Sequence, residues 1–159
     1  MQNPERTSPE PPEIGGGFFA NEFMPALLNQ AMNLLNERFK AALKPHGISI
    51  SQWRTLAALT YADDLSLTEI VRLTAIGQTT LSRVVDGLAG KGLVRTAPRA
   101  ADGRFVAIRL TDAGRALVDG VWPTAWSHSE DAVAGWDEGE RADLHRLLRK
   151  LVAGLQGKE

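Results

Sequence analysis

Residues 65–110 read LSLTEIVRLTAIGQTTLSRVVDGLAGKGLVRTAPRAADGRFVAIRL, and a change of period inside this stretch decides the fold. Ser66, with Glu69 three residues on, makes a capping box, and Leu65 and Ile70 stand at the hydrophobic-staple positions around it. The spacing predicts a short helix over about 67–73, a turn over 74–77 and a second helix over 78–90. Leu81, Val84, Val85 and Leu88 share one face of that second helix, and Gly92 is placed to stop it. Beyond Gly92 the pattern alternates. Residues 93–96 read as a short strand, and in 104–110 Val106, Ile108 and Leu110 share a face as in a half-buried strand. Asp102-Gly103 between them is a hairpin-turn dipeptide. Helix, turn, helix and hairpin make a winged helix-turn-helix layout.

The flanks extend this frame with more helix. Ser49 and Gln52 form another capping box, with Ile48 and Trp53 as its staple, and open a helix over about 51–61. Upstream, Phe23, Leu27, Leu28, Ala31, Leu34, Leu35, Phe39 and Ala42 recur at helical steps. They predict one long amphipathic helix from Phe18 to near Pro45 and Gly47. Residues 1–17, MQNPERTSPEPPEIGGG, are rich in proline and glycine and poor in apolar side chains, the composition of a disordered tail. Downstream, Thr111 can cap a helix running toward the low 130s, bent at Pro123. Asp137 can cap a last helix whose Leu144, Leu147, Leu148, Leu151, Val152 and Leu155 form one stripe. The terminal helices carry more apolar surface than a small winged domain can cover. They are therefore expected to pack together and against a second copy, since most soluble oligomers are symmetric homo-oligomers.

The expected fold class is mainly α with a small two-stranded β wing. Its organisation is a tail over 1–17, a dimerisation helix over 18–48, a winged helix-turn-helix lobe over 49–110 and C-terminal dimerisation helices over 111–159. A chain of 159 residues is long enough to bury a core without staples. It contains no cysteine, which excludes disulfide scaffolds, thiolate zinc sites and thiol-based redox sensing. No apolar run reaches the ~18 residues of a membrane span, and the N-terminus lacks the basic and apolar regions of a signal peptide. A soluble, cytoplasmic protein is expected.

The net charge of −1 hides an asymmetry. Residues 66–110 hold Arg72, Arg83, Lys91, Arg95, Arg99, Arg104 and Arg109 against Glu69, Asp86 and Asp102, a net of +4. The segments before and after are acidic, at −2 and −3. A basic middle between acidic flanks is the footprint of a polyanion-binding surface, or else a solvated basic face.

Several motifs occur in an order that is specific when taken jointly. They are Gln52-Trp53 after Gly47, the helix exit Leu88-Ala89-Gly90-Lys91-Gly92-Leu93-Val94, Asp102-Gly103-Arg104, and Leu110-Thr111-Asp112-Ala113-Gly114. In these the chain resembles the MarR (multiple antibiotic resistance regulator) family of bacterial transcription factors, over about residues 20–155. The resemblance implies a homodimer with interlocked terminal helices and two winged lobes on a pseudo-palindromic operator. Each recognition helix would sit in the major groove and each wing near the minor groove. It also implies repression relieved by a small, often aromatic, molecule.

On the recognition helix the polar face is Gln78, Thr79, Thr80, Ser82 and Arg83. Gln suits adenine, Arg suits guanine O6 and N7, and Thr and Ser can hydrogen-bond or touch thymine methyls. Arg99 and Arg104 flank the wing tip, where a guanidinium can enter a narrow minor groove or pair with phosphate. Arg104 matches the family's Asp-x-Arg arginine, while Asp102 is expected to shape the turn. Ser66 and Thr68 can reach backbone phosphate, with capping as their competing role. Effectors of the family lodge between dimerisation helices and winged lobe, which implicates Asn36, Phe39, His46, Trp53 and Trp126, with core packing as the alternative for the aromatic ones. His46, His128 and His145 are scattered, and His128 with Asp131 is the nearest approach to a metal-ligand spacing. No cofactor is expected.

An enzyme finds little support. The sequence contains no GxxxxGK[ST], no GxGxxG after a strand, no HExxH and no GxSxG. Two other readings stay open at this point: a winged helix used only for protein interaction, and a DNA-binding regulator without an effector.

Overall fold

The computed structural model describes residues 17–62, 64–99 and 102–157, with the side chains of Phe18, Arg99 and residues 102–105 left aside. Residues 1–16 of the expected tail lie outside this set. The chain divides into two units, Met1–Glu37 and Arg38–Glu159, with the boundary inside the second helix.

In the first unit the expected single helix is two: α1, Phe18–Asn21, and the start of α2, Met24–Leu43. The break follows from Pro25, which apolar periodicity passes over. A proline has no N–H and clashes with the preceding turn, so it is accommodated most easily in a helix's first turn, where it stands in α2. Phe19 and Phe23 stack across the break with ring centroids 5.5 Å apart.

The second unit holds the winged lobe. After a single 3-10 turn at Lys44–His46, closed by Gly47 at φ 64°, α3 spans Ile50–Ala58 and α4 spans Leu67–Thr74. Both caps form as read. Gln52 N–H donates to Ser49 Oγ at 3.2 Å, and Ser49 N–H donates back to Gln52 Oε1 at 3.1 Å. Glu69 N–H donates to Ser66 Oγ at 3.3 Å and Ser66 N–H to Glu69 Oε2 at 2.6 Å. The staple residues Ile48, Trp53, Leu65 and Ile70 are all buried. α5 spans Gln78–Gly90 and buries Leu81, Val85 and Leu88 against α3 and α4. It ends as the glycine predicted: Gly92 takes φ 69°, its N–H donates to Ala89 O, and Leu93 N–H donates to Leu88 O at 3.0 Å. Those two bonds satisfy carbonyls that the helix end would otherwise orphan.

The wing is longer than expected. β1 is Val94–Arg99 and β2 is Asp102–Leu110, antiparallel, with the register shifting between Pro98 and Arg99. Pro98 can sit inside β1 because a two-stranded sheet consists of edges. Asp102-Gly103, read as the turn, belongs to β2, with Asp102 paired to Arg99; the connection is residues 100–101, outside the described set. A further tie was not legible: Ile108 N–H donates to Leu65 O at 2.8 Å, a one-residue bridge from the wing to the segment before α4.

α6, Asp112–Asp131, and α7, Glu138–Gln156, complete the unit. Thr111 caps α6 through Gly114 N–H at 3.0 Å, and Pro123 lies inside it as expected. Asp137 caps α7 in a full box with Glu140, both bonds 2.9 Å. None of the residues of α7 is buried. The core of Leu43, Leu56, Leu59, Ile70, Leu81, Leu88 and Val121 therefore sits under the winged lobe and the first half of α6. Among the described residues no helix is long and apolar enough to cross a membrane.

The turn between α4 and α5 makes one prediction. Ala75 caps α4 at φ 55°, a left-handed conformation that costs an L-residue about 1–2 kcal/mol and glycine almost nothing. Ala75→Gly should stabilise the lobe by up to about 1 kcal/mol, raising the melting temperature by about 2–4 °C. A lowered melting temperature in calorimetry would contradict this.

Candidate nucleic-acid interface

The recognition helix is anchored from below. With Leu81, Val85 and Leu88 locked in the core, every residue expected on its polar face, Gln78, Thr79, Thr80, Ser82 and Arg83, is exposed. At about 100° per residue, Thr79 and Arg83 lie at the centre of the exposed face, opposite the buried stripe. The N-cap is Gly77, which has no side chain to accept a bond, so no side-chain cap engages the first-turn amides. Arg83 makes no hydrogen bond or ion pair among the described residues, and Asp86, one turn on, does not engage it. A guanidinium held on a rigid helix and left without an internal partner is available to a base edge or phosphate.

The structure sorts the basic middle into two groups. Lys91 reaches back to α3, its Nζ donating to Gly47 O at 2.6 Å and lying 3.4 Å from Gln52 Oε1. Arg109 is forked onto Asp64, with Nε on one carboxylate oxygen and Nη2 on the other at 2.8 Å. Two of the seven positive charges are thus committed internally. Asp64 lies just outside the stretch over which the charge was counted, which is why the sequence reading missed it. Arg72 and Arg95 remain exposed. Arg99 closes β1 opposite Asp102, and Arg104 lies in β2; their side chains are outside the described set.

Ser66 Oγ accepts the Glu69 amide, so the capping role is occupied, but a hydroxyl that accepts keeps its own O–H to donate. Thr68, two residues on, is exposed. Between recognition helix and wing there is a notch of about 190 Å³ lined by Leu67, Ser82, Val85, Asp86, Thr96 and Val106.

Of the residues expected to meet a ligand, the structure brings Phe39 and Trp53 together. Both are buried, with their rings edge-on at 5.9 Å. His128 joins them from α6, stacked on Phe39 at 5.2 Å, an approach across 89 positions that no local pattern signals. His128 also lines an open cleft of about 420 Å³ with Ala42, Pro123, Thr124, Ser127 and Asp131. Trp126 instead faces Trp122 at 6.3 Å, and the two are 56% and 53% exposed. His46 is exposed and Asn36 belongs to the first unit. Among the described residues no group of three or more His, Asp and Glu could hold a metal ion.

Residues 46–104, the winged lobe, match the MarR family model. The HTH-type transcriptional repressor NicR of Pseudomonas putida is 36% identical over 101 residues, 64% of this chain. The match likewise spans 64% of NicR, just under two thirds of its length. Among solved structures, Bordetella bronchiseptica BpsR, whose DNA binding is regulated by 6-hydroxynicotinic acid, is 31% identical with a TM-score of 0.72 over 80% of this chain and 96% of that one. A MarR-family transcriptional regulator from Silicibacter pomeroyi is also 31% identical, with a TM-score of 0.74 over 83% of this chain and 89% of that one. With a winged lobe built on the same plan and similarity that extends over most of both solved chains, this chain belongs to the MarR family of transcriptional regulators.

Proposed function

We propose that the protein is a homodimeric, sequence-specific DNA-binding repressor that leaves a pseudo-palindromic operator when a small aromatic molecule binds. The observation that carries the DNA half is the exposed polar face of α5, rigidly backed and centred on Arg83, which has no partner among the described residues. Gln78, Thr79, Thr80, Ser82 and Arg83 would read the major groove, Arg99 and Arg104 the wing side, and Ser66 and Thr68 the backbone. The reading of a bare interaction module explains none of this polar, uncharged helix start.

Dimerisation is supported by the terminal helices. α7 presents Leu147, Leu148, Val152 and Leu155 to solvent, and α2 presents Leu27, Leu28, Met32 and Leu34. Apolar stripes of that length on a monomer mark an interface. On this reading 18–48 and 111–159 form the dimerisation segments around the lobe at 49–110. Leu147→Glu with Val152→Glu should place two buried charges in the interface and yield monomers by analytical ultracentrifugation. A dimer that survives both changes would move the interface elsewhere.

For the effector, the cleft beside His128 offers the Thr124 and Ser127 hydroxyls, an imidazole and the Asp131 carboxylate next to Ala42 and Pro123, a reasonable mixture of polar and apolar groups for a small aromatic molecule. The regulated DNA binding of BpsR supports that class of ligand. Phe39, stacked on His128, and Trp53 against it would back the site from the core, with His46 and Trp126 as further candidates. Titrating aromatic acids such as 6-hydroxynicotinic acid against the protein–DNA complex tests it. Release of DNA, weakened by His128→Ala, is expected; indifference of the complex to every such acid would leave a regulator without this effector.

A further inference from the structure

We infer that Asp64 and Arg109 form a strut that sets the wing against the recognition helix, so that an acidic side chain paired with a cation of the wing raises DNA affinity. The inference rests on the DNA-binding reading above and concerns positioning residues. It begins with the single Ile108 N–H to Leu65 O bond, 2.8 Å long, that bridges β2 to the segment before α4. The buried Ile108 and Leu110 seat the base of β2 in the core, and one backbone bond to Leu65 fixes a point there without fixing the angle of the hairpin beyond it. Asp64 and Arg109 are the next residues along each strand of that bridge, and their fork closes it as a second, planar attachment. The side chains of Arg109 and Asp64 are only 29% and 34% exposed, so the pair is partly shielded from water.

The register adds a reason for the carboxylate. Arg109 lies directly opposite Arg95 across the sheet, and like charges opposite each other push strands apart. Asp64 places a negative charge on Arg109 and leaves Arg95 exposed. Its second neighbour, Ser66, opens α4, which packs on α5. Residues 64, 65 and 66 therefore tie, in order, the wing by a side chain, the wing by its backbone, and the start of the helix that supports the recognition helix.

A strut and a plain electrostatic account predict opposite signs. By charge alone, Asp64→Asn removes a repulsive group and should tighten DNA binding. By the strut, it should weaken binding roughly tenfold, the size of effect typical of coupled neighbours. Arg109→Lys keeps the charge but loses the fork, so it should weaken binding similarly and leave the salt dependence as in the wild type. The test is fluorescence anisotropy on a duplex selected by the full-length wild type, over a salt series well below the melting temperature of each variant. The reversed pair Asp64→Arg with Arg109→Asp should recover most of the loss, which excludes simple misfolding. Faster hydrogen exchange at the Ile108 amide in Asp64→Asn reads the strut without DNA. Binding by Asp64→Asn as tight as wild type, or Arg109→Lys behaving as wild type while Arg109→Gln lowers the salt slope by about 0.9, would overturn the inference and make Arg109 a phosphate contact. Wild type that selects no duplex at all would sink the DNA-binding reading instead, and unchanged Ile108 exchange would then sink the strut on its own.

Discussion

Gly114→Ala should cost the fold on the order of 3–5 kcal/mol, with the melting temperature falling by about 10 °C or more. Gly114 is an ordinary helical residue in the first turn of α6, so its conformation does not demand glycine. Space does. A Cβ at this position would stand 2.0 Å from the Leu93 carbonyl oxygen, 3.0 Å from the Leu93 carbonyl carbon and 3.3 Å from Leu110 Cδ2. The obstacle is backbone, and that backbone is pinned. Leu93 O accepts Thr111 N–H at 3.1 Å, and Gly92 O accepts Thr111 Oγ1–H at 2.6 Å. Leu93 also closes the end of α5 through its bond to Leu88. Moving it to admit a methyl group would disturb the recognition-helix exit, the base of the wing and the cap of α6 at once. Calorimetry and far-ultraviolet dichroism on Gly114→Ala check this; a melting temperature within a degree or two of wild type would show that the junction yields.

The second large effect is on DNA. Arg83→Ala should lower affinity for the selected operator by about 10–100-fold, the 1–3 kcal/mol of a bidentate base contact, while leaving the melting temperature near that of the wild type. Arg83 is exposed and has no internal partner among the described residues, so its removal takes nothing from the core. If Arg83 reads a base, the loss should be concentrated at one position of the half-site; if it holds a phosphate, it should be uniform across sequences and flatten the salt dependence by about one ion. Arg104→Ala should show the same magnitude from the wing. Unchanged affinity in both variants would remove the DNA face from α5 and the wing.

What the sequence made legible was local. Ser49 with Gln52 and Ser66 with Glu69 announced two helix starts because both partners of a capping box lie within three residues. Gly92 announced the end of α5 because only a residue tolerant of positive φ suits that position. The exposed face of α5 followed from its buried one. The strand ends were harder, since Pro98 and Asp102-Gly103 carry turn chemistry that a two-stranded edge tolerates. The break before α2 was hidden because apolar spacing runs through Pro25 unbroken. The rest needed the third dimension. The pairing of Arg109 with Asp64 spans 45 positions and that of Lys91 with Gly47 spans 44, so charge counting along the chain credited both cations to the DNA surface. Gly114 could be seen as part of a motif, but only the approach of the Leu93 carbonyl explains why the motif ends in glycine.

Specific DNA recognition by a dimer is tested most directly by selection from random duplexes at moderate salt. Purified full-length protein should enrich a palindrome with half-sites about one helical turn apart, protected by two chains per duplex, and Arg83→Ala should fail to enrich it. Enrichment of no sequence, with only weak binding that vanishes steeply as salt rises, would contradict the account.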